Sequence, residues 1–315
     1  MLHSETQNGY PMSIPTSFHG YKIIKYLGCG STSIVVLIEK QETHEQFAAK
    51  IMAIDDIRKR NLSKSVKREV TVLMQLDHPN IIKLYETFKI KNKDEEYYVI
   101  VMEYCPNGDL LTYAKRNLFK NELEKKKMIY SFIEAIKYLH SKGVSHGDIK
   151  SDNILLDLNN SPKLCDFGFC RTKSIVGDES KNGTLYYAAP ELFVKGNFDP
   201  KKADIYAVGI TIYSICELQF PFKDGKQNYI IKQIMKGNYS ISRNLDPQIR
   251  NIVEGCIKSN PKDRMTIDQI LNSSYFNDVC SMKPSIYSKG NNIMRYPQYG
   301  HQLMTPNTYE PVLSY

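Results

Sequence analysis

Apolar and polar positions change rhythm once along this chain. Up to about residue 104, short β-branched runs alternate with turns; beyond it, apolar residues recur at helical spacing. Residues 21–27 and 34–38 are β-branched runs that flank a glycine-rich turn, and 46–52 reads as a third strand. All three predict strands. Val66, Val70, Leu73 and Leu76 share one face of a helix expected over about 62–76. Two further strands are expected near 81–84 and 97–103. After Pro106-Asn107-Gly108, the stripe Met128, Phe132, Ile133, Ile136 and Leu139 predicts a long amphipathic helix. Gly209, Ile210, Ile212, Tyr213 and Ile215 predict another, more deeply buried. The pattern is that of an α+β protein with a boundary at about Cys105. Residues 1–20 show no periodicity and read as a flexible leader. Residues 277–315, with scattered prolines, tyrosines and asparagines, read as a disordered tail.

Composition narrows the classes without naming one. The chain has 315 residues, 42% of them hydrophobic and 24% charged, enough to bury a substantial core. Its apolar runs are too short to span a bilayer, and its first residues lack the basic and apolar regions of a secretory signal. Seven cysteines without a C-x-x-C pair argue against a zinc site or a disulfide framework and for a reducing compartment. A cytoplasmic location, or a nuclear one, is the expectation. The net charge of +8 comes partly from Arg58-Lys59-Arg60, Lys64, Lys67 and Arg68, and partly from Lys115, Arg116, Lys120 and Lys125-Lys126-Lys127. No aromatic residues interleave with these charges. They read as solvated helix faces, and neither nucleic acid nor membrane is expected as a partner.

Candidate chemistry concentrates in Ser145-His146-Gly147-Asp148-Ile149-Lys150-Ser151-Asp152-Asn153 and, shortly after, Asp166-Phe167-Gly168. Acids, an amide and a lysine in this order can hold metal ions and a phosphate tail against an incoming hydroxyl. The set resembles the catalytic loop and metal-binding turn of the eukaryotic protein kinases. The resemblance runs over residues 21–276. It includes Gly28-Cys29-Gly30 with Val35 downstream, Ala48-Ala49-Lys50, His78-Pro79-Asn80, Ala189-Pro190-Glu191, Asp204-Ile205-Tyr206 and Arg264. It implies a two-lobed fold: a small antiparallel β-sheet N-lobe (21–104) with one regulatory helix, and a larger helical C-lobe (105–276).

The resemblance also implies roles. Asp148 would be the base that accepts or orients the hydroxyl proton, and Lys150 would offset charge on the γ-phosphate. Asn153 and Asp166 would ligate Mg2+ through hard oxygens. Lys50 would face the α- and β-phosphates of ATP. It needs an anionic partner, with Glu69 the candidate and Asp55 and Asp56 as alternatives. Leu27, Gly28, Gly30, Val35, Ala48, Met102, Glu103, Cys105, Asp109 and Leu155 would complete the ATP site, and Met102 reads equally as ordinary core. The implied activity is transfer of the γ-phosphate of Mg·ATP to Ser or Thr of proteins. The details resemble the calcium/calmodulin-dependent and energy-sensing group. A partner-binding relative without activity, a basic nucleic-acid binder and a small-molecule kinase are the alternatives. The intact set Lys50, Asp148, Asn153 and Asp166 argues against the first.

Three departures bear on mechanism. Gly147 stands where the family commonly has an arginine that grips an activation-loop phosphate. Phosphorylation at Thr172, Ser174 or Ser180 is therefore not expected to be essential, unless Arg171, Lys173 or the run from Arg58 supplies the cation. No basic amphipathic helix follows Phe276, so calmodulin is not an expected partner. Asp109 and Asp152 match acids that receive an upstream substrate arginine in basophilic relatives, whereas Lys232 stands where some have a further acid. Cys165, beside Asp166, could meet electrophiles if Lys50 favours its thiolate.

Overall fold

A computed structural model describes residues 14–30, 32–170 and 185–281. They divide into two compact units. Within the described residues, the first holds those up to Met74 and Lys83–Tyr104, and the second holds Gln75–Ile82 and those from Cys105 onward.

The first unit is a six-stranded antiparallel sheet with two helices. Its elements are β1 (Ser17–Phe18), β2 (Tyr21–Cys29), β3 (Ile34–Lys40), β4 (Gln46–Ala53), α1 (Ile54–Lys59), α2 (Ser63–Gln75), β5 (Leu84–Asn92) and β6 (Glu95–Glu103). Strand order is β1-β2-β3-β4-β6-β5. Side chains alternate between faces. Ile34, Val36, Ile38, Ala49, Ile51, Val99 and Val101 fall on one face and join Phe18, Tyr21 and Phe88 in a buried cluster. The opposite face carries Val35, Ala48, Lys50 and Met102, with Val35 opposite Lys50 and Ala48 opposite Met102.

Several expectations need correction here. Residues 17–20, assigned to the leader, form β1 and its turn. Ser17 pairs with Lys22, Phe18 is buried, and Ile14 packs on the same cluster. Apolar side chains at 14 and 18 are too few to show periodicity, yet the sheet face supplies their partners. The strand expected near 81–84 lies instead at Leu84–Asn92. Residues 75–82 group with the second unit. There Ile82 N donates to Leu164 O at 2.9 Å and Asn80 Nδ2 to Pro162 O at 2.9 Å. Helix α1 was not anticipated, being too short to show a period.

The second unit is helical. It comprises α3 (Leu110–Lys115), α4 (Glu122–Ser141), the hairpin β7 (Ile154–Leu156) and β8 (Pro162–Leu164), α5 (Pro200–Glu217), α6 (Gln227–Lys236), α7 (Pro247–Cys256), α8 (Ile267–Leu271) and α9 (Asn277–Ser281). Several helix starts are fixed by side chains. Asn121 caps α4 through Glu124 N, Asp199 caps α5 with Pro200 at its first turn, and Thr266 and Gln269 form a reciprocal capping box on α8. Helix α5 is buried on nearly every side. It passes so close to α7 that a Cβ on Gly209 would sit 2.6 Å from Cys256 Cβ. The tail expectation began at 277, but α9 packs on α4, with Lys126 Nζ 3.0 Å from Asp278 Oδ2. The rest of that expectation lies outside the described residues.

The helical unit is tied at its base by Arg264, 3% exposed. Its guanidinium makes a two-pronged pair with Glu191, both contacts 2.6 Å. It also donates to the carbonyls of Lys258, Lys202 and Ser259 and lies 5.0 Å from the Tyr206 ring centre. Tyr206 is itself buried. Breaking a buried pair strands the remaining charge. Arg264→Met is expected to cost about 3–5 kcal/mol of unfolding free energy. Arg264→Lys, which keeps the charge but loses the fork, is expected to recover only part of it. Denaturant unfolding measures both, and a cost near zero for Arg264→Met would contradict the assigned role.

Candidate active site

In the first unit, β2 runs to Cys29, with a register irregularity between Tyr26 and Gly28 that leaves Leu27 unpaired. Gly30 N donates to Ser33 O at 2.8 Å, closing the turn. Ser33 is buried. Ser31 lies outside the described residues. Lys50 Nζ contacts Glu69 Oε1 at 2.7 Å, and the two side chains are 17% and 5% exposed. Of the three acids considered, α2 therefore supplies the partner. Asp55 instead faces Arg58 at 3.5 Å. Val35, Ala48, Met102 and Glu103 are partly exposed, whereas Ile34, Val36, Ala49 and Val101 in the same strands are buried.

In the second unit, the catalytic segment is assembled by a chain of short bonds. Lys150 Nζ donates to Asp148 Oδ2 at 2.7 Å. Asn153 Nδ2 donates to Asp148 O at 2.8 Å and to Asp148 Oδ2 at 2.9 Å. Asp148 Oδ1 is buried and has no hydrogen-bond partner among the described residues. An ionised carboxylate oxygen without a donor is costly in a buried place. It is also the arrangement of an acceptor that awaits a hydroxyl.

The imidazole of His146 fixes the loop's other side. Asp148 N donates to His146 Nδ1 at 3.2 Å, so that nitrogen is the unprotonated one. His146 Nε2 then donates to Cys165 O at 3.0 Å. Cys165 N in turn donates to Asn153 O at 2.9 Å. These bonds bring Asn153 beside the residue that precedes Asp166. Asp166 itself takes a left-handed backbone, φ 63°, one that Asp tolerates better than most residues. Asn153 points its amide nitrogen at Asp148, which leaves its oxygen for a cation. Together with the Asp166 carboxylate this is a hard-oxygen donor pair, suited to Mg2+, which commonly takes its remaining ligands from water and phosphate.

Asp204 at the buried core of α5 anchors the segment. It accepts from His146 N at 2.8 Å, Gly147 N at 2.9 Å and His140 Nε2 at 2.9 Å. In the sequence it stood out only as part of Asp204-Ile205-Tyr206. The signal was there: an acid inside an otherwise apolar helix must have donors. A second link was also missed, Ser151 Oγ to Tyr187 Oη at 3.0 Å, which joins the loop to the segment before Pro190.

The remaining expected residues are placed as follows. Asp109 is the N-cap of α3, bonded to Thr112 N and Thr112 Oγ1, each at 2.8 Å. Leu155 lies on β7 and Cys105 opens the second unit, both partly exposed. Asp152 is exposed. Cys165 Sγ donates to Asn153 O at 3.3 Å. Arg171, Thr172, Lys173, Ser174, Ser180, Gly183 and Thr184 lie outside the described residues.

A family model described as the protein kinase domain matches residues 21–276. The chain belongs to the protein kinase domain family. The chain is 29% identical to CBL-interacting serine/threonine-protein kinase 26 of Arabidopsis thaliana over 85% of its length, covering 61% of that protein. It is 31% identical to the carbon catabolite-derepressing protein kinase of Secale cereale, over 81% of this chain and 51% of the relative. It is 34% identical to 3-phosphoinositide-dependent protein kinase B of Dictyostelium discoideum, over 82% and 29%. The chain thus spans less than two thirds of these relatives. The first two names agree with the energy-sensing serine/threonine group.

The family resemblance gives the two acids different tasks. Asp166→Asn is expected to abolish phosphoryl transfer and to weaken metal-dependent nucleotide binding. Asp148→Asn is expected to abolish transfer and spare binding, as replacing a group on the hydroxyl side would. Full transfer by either variant, measured with a Ser/Thr peptide and Mg·ATP, would contradict the assignment.

Proposed function

We propose that the protein is a serine/threonine protein kinase that transfers the γ-phosphate of Mg·ATP to hydroxyls of protein substrates. The observation that carries this is the division of labour on Asp148. One oxygen is held by Lys150 and Asn153, while the other is buried with no partner among the described residues. The open oxygen orients the acceptor hydroxyl and takes its proton. Lys150, 2.7 Å from the held oxygen, offsets charge on the transferred group. When bound, Mg2+ supplies the Lewis acid for the phosphate oxygens, with Asn153 and Asp166 as its protein ligands. Lys50, oriented by Glu69, grips the nucleotide phosphates. No helix among the described residues is long and apolar enough to cross a membrane.

Substrate preference follows from charge. Exposed Asp152 is free of the capping duty that occupies Asp109, and it is suited to an arginine three residues before the acceptor. Lys232 disfavours a second arginine. A peptide array is expected to select that single arginine, with the preference weakened in Asp152→Ala. Selection of acidic residues upstream would contradict it.

Activation-loop phosphorylation is not essential in this reading, because Gly147 offers no cation at the catalytic loop. Phosphatase-treated protein is expected to keep most of its activity, and joint replacement of Thr172, Ser174 and Ser180 by alanine to cost little. A large fall in kcat, restored by rephosphorylation, would show that other cations substitute.

A further inference from the structure

Gly147 has a backbone φ of +81°, in the region that favours glycine. It is also crowded. A Cβ built there would lie 2.6 Å from Phe169 O and 3.3 Å from Phe169 C, and both are backbone atoms. The neighbour therefore cannot give way by rotating a side chain. The space in which a side chain would begin is filled by the chain that leaves the metal-binding turn.

That chain is itself tightly wound. Phe167–Phe169 form a 3-10 turn, closed by Cys170 N donating to Phe167 O at 3.1 Å. Phe167 is fully buried, its ring edge-on to His146 with centres 4.9 Å apart. On the other side, Gly147 cannot retreat, because its N–H is fixed to Asp204 Oδ1 at 2.9 Å. The two strands of the site are thus held in contact from both sides, backbone against backbone.

We infer that Gly147 is a positioning residue for Asp166. Its missing side chain lets the Phe169 carbonyl close onto the catalytic loop, and this contact sets the turn that presents the Asp166 carboxylate. Gly147 is then a required contact and more than a lost cation. Any side chain at 147 pushes Phe169 outward and moves Asp166, three residues earlier in the same turn. The inference rests on the assignment of Asp166 to Mg2+. It leads to an outcome that the missing-cation view does not share: restoring arginine at this position harms the enzyme.

The test compares Gly147→Ala, Gly147→Arg and Phe169→Ala in the full chain. In the nucleotide-free protein, hydrogen exchange over residues 165–170 is expected to be faster in both Gly147 variants and unchanged in Phe169→Ala, which keeps the carbonyl. ATP binding without metal is expected to match wild type in all three. The Mg2+ concentration that half-saturates binding and turnover is expected to rise roughly 10-fold or more in the Gly147 variants, and kcat to fall roughly 10- to 100-fold, as misplacement of a reacting group commonly costs. Asp166→Asn separates the two layers: if it leaves metal-dependent binding intact, the ligand assignment fails, whatever Gly147 does. The inference itself is overturned if Gly147→Arg equals or exceeds wild-type kcat, or if Phe169→Ala shifts the Mg2+ requirement as Gly147→Ala does. It is likewise overturned if Gly147→Ala fails to fold, since the glycine then serves stability alone.

Discussion

The carboxylate of Asp204 sits 1% exposed within α5 and takes hydrogen bonds from His140 Nε2 and from the backbone N–H groups of His146 and Gly147. Burying an anion without donors is prohibitive, so these three bonds are a condition of the fold and not an ornament on it. They have a consequence beyond stability. Helix α5 is among the most buried elements of the second unit, and its rigidity passes through Asp204 to the loop that carries Asp148, Lys150 and Asn153. From there, His146 hands the constraint to Cys165 and so to the residue before Asp166. Asp148, Lys150, Asn153 and the residue before Asp166 are joined by one continuous set of short bonds.

The first unit solves a simpler problem. It must keep one lysine extended, and it does so with a 2.7 Å contact to Glu69, nearly buried on α2. The sheet does the rest through alternation. The same strands that bury Ile34, Val36, Ala49 and Ile51 on one face present Val35, Ala48 and Lys50 on the other. A slip of one residue would bury the lysine and expose the core.

Much of this was legible in the sequence because it rests on local signals. The β-branched runs at 21–27 and 34–38 and the stripe from Met128 to Leu139 mark elements by period. Asp148, Asn153 and Asp166 mark chemistry by order. What was missed depends on distant partners. β1 exists because a sheet edge and a buried cluster await Phe18. Residues 75–82 join the second unit because Asn80 and Ile82 find β8. Gly147 was read from what it lacks. That another backbone stands within 2.6 Å of its absent side chain belongs to tertiary structure, and no spacing in the sequence reveals it.

The central claim is that Asp204 orders the catalytic loop. The most direct test is Asp204→Asn, close in shape, which loses the charge and turns an amide toward a backbone donor. Amide exchange at residues 145–148 should accelerate. The kcat should fall by roughly 10- to 100-fold, with ATP affinity in the absence of metal unchanged. Wild-type kcat with unchanged exchange at those amides would contradict the account.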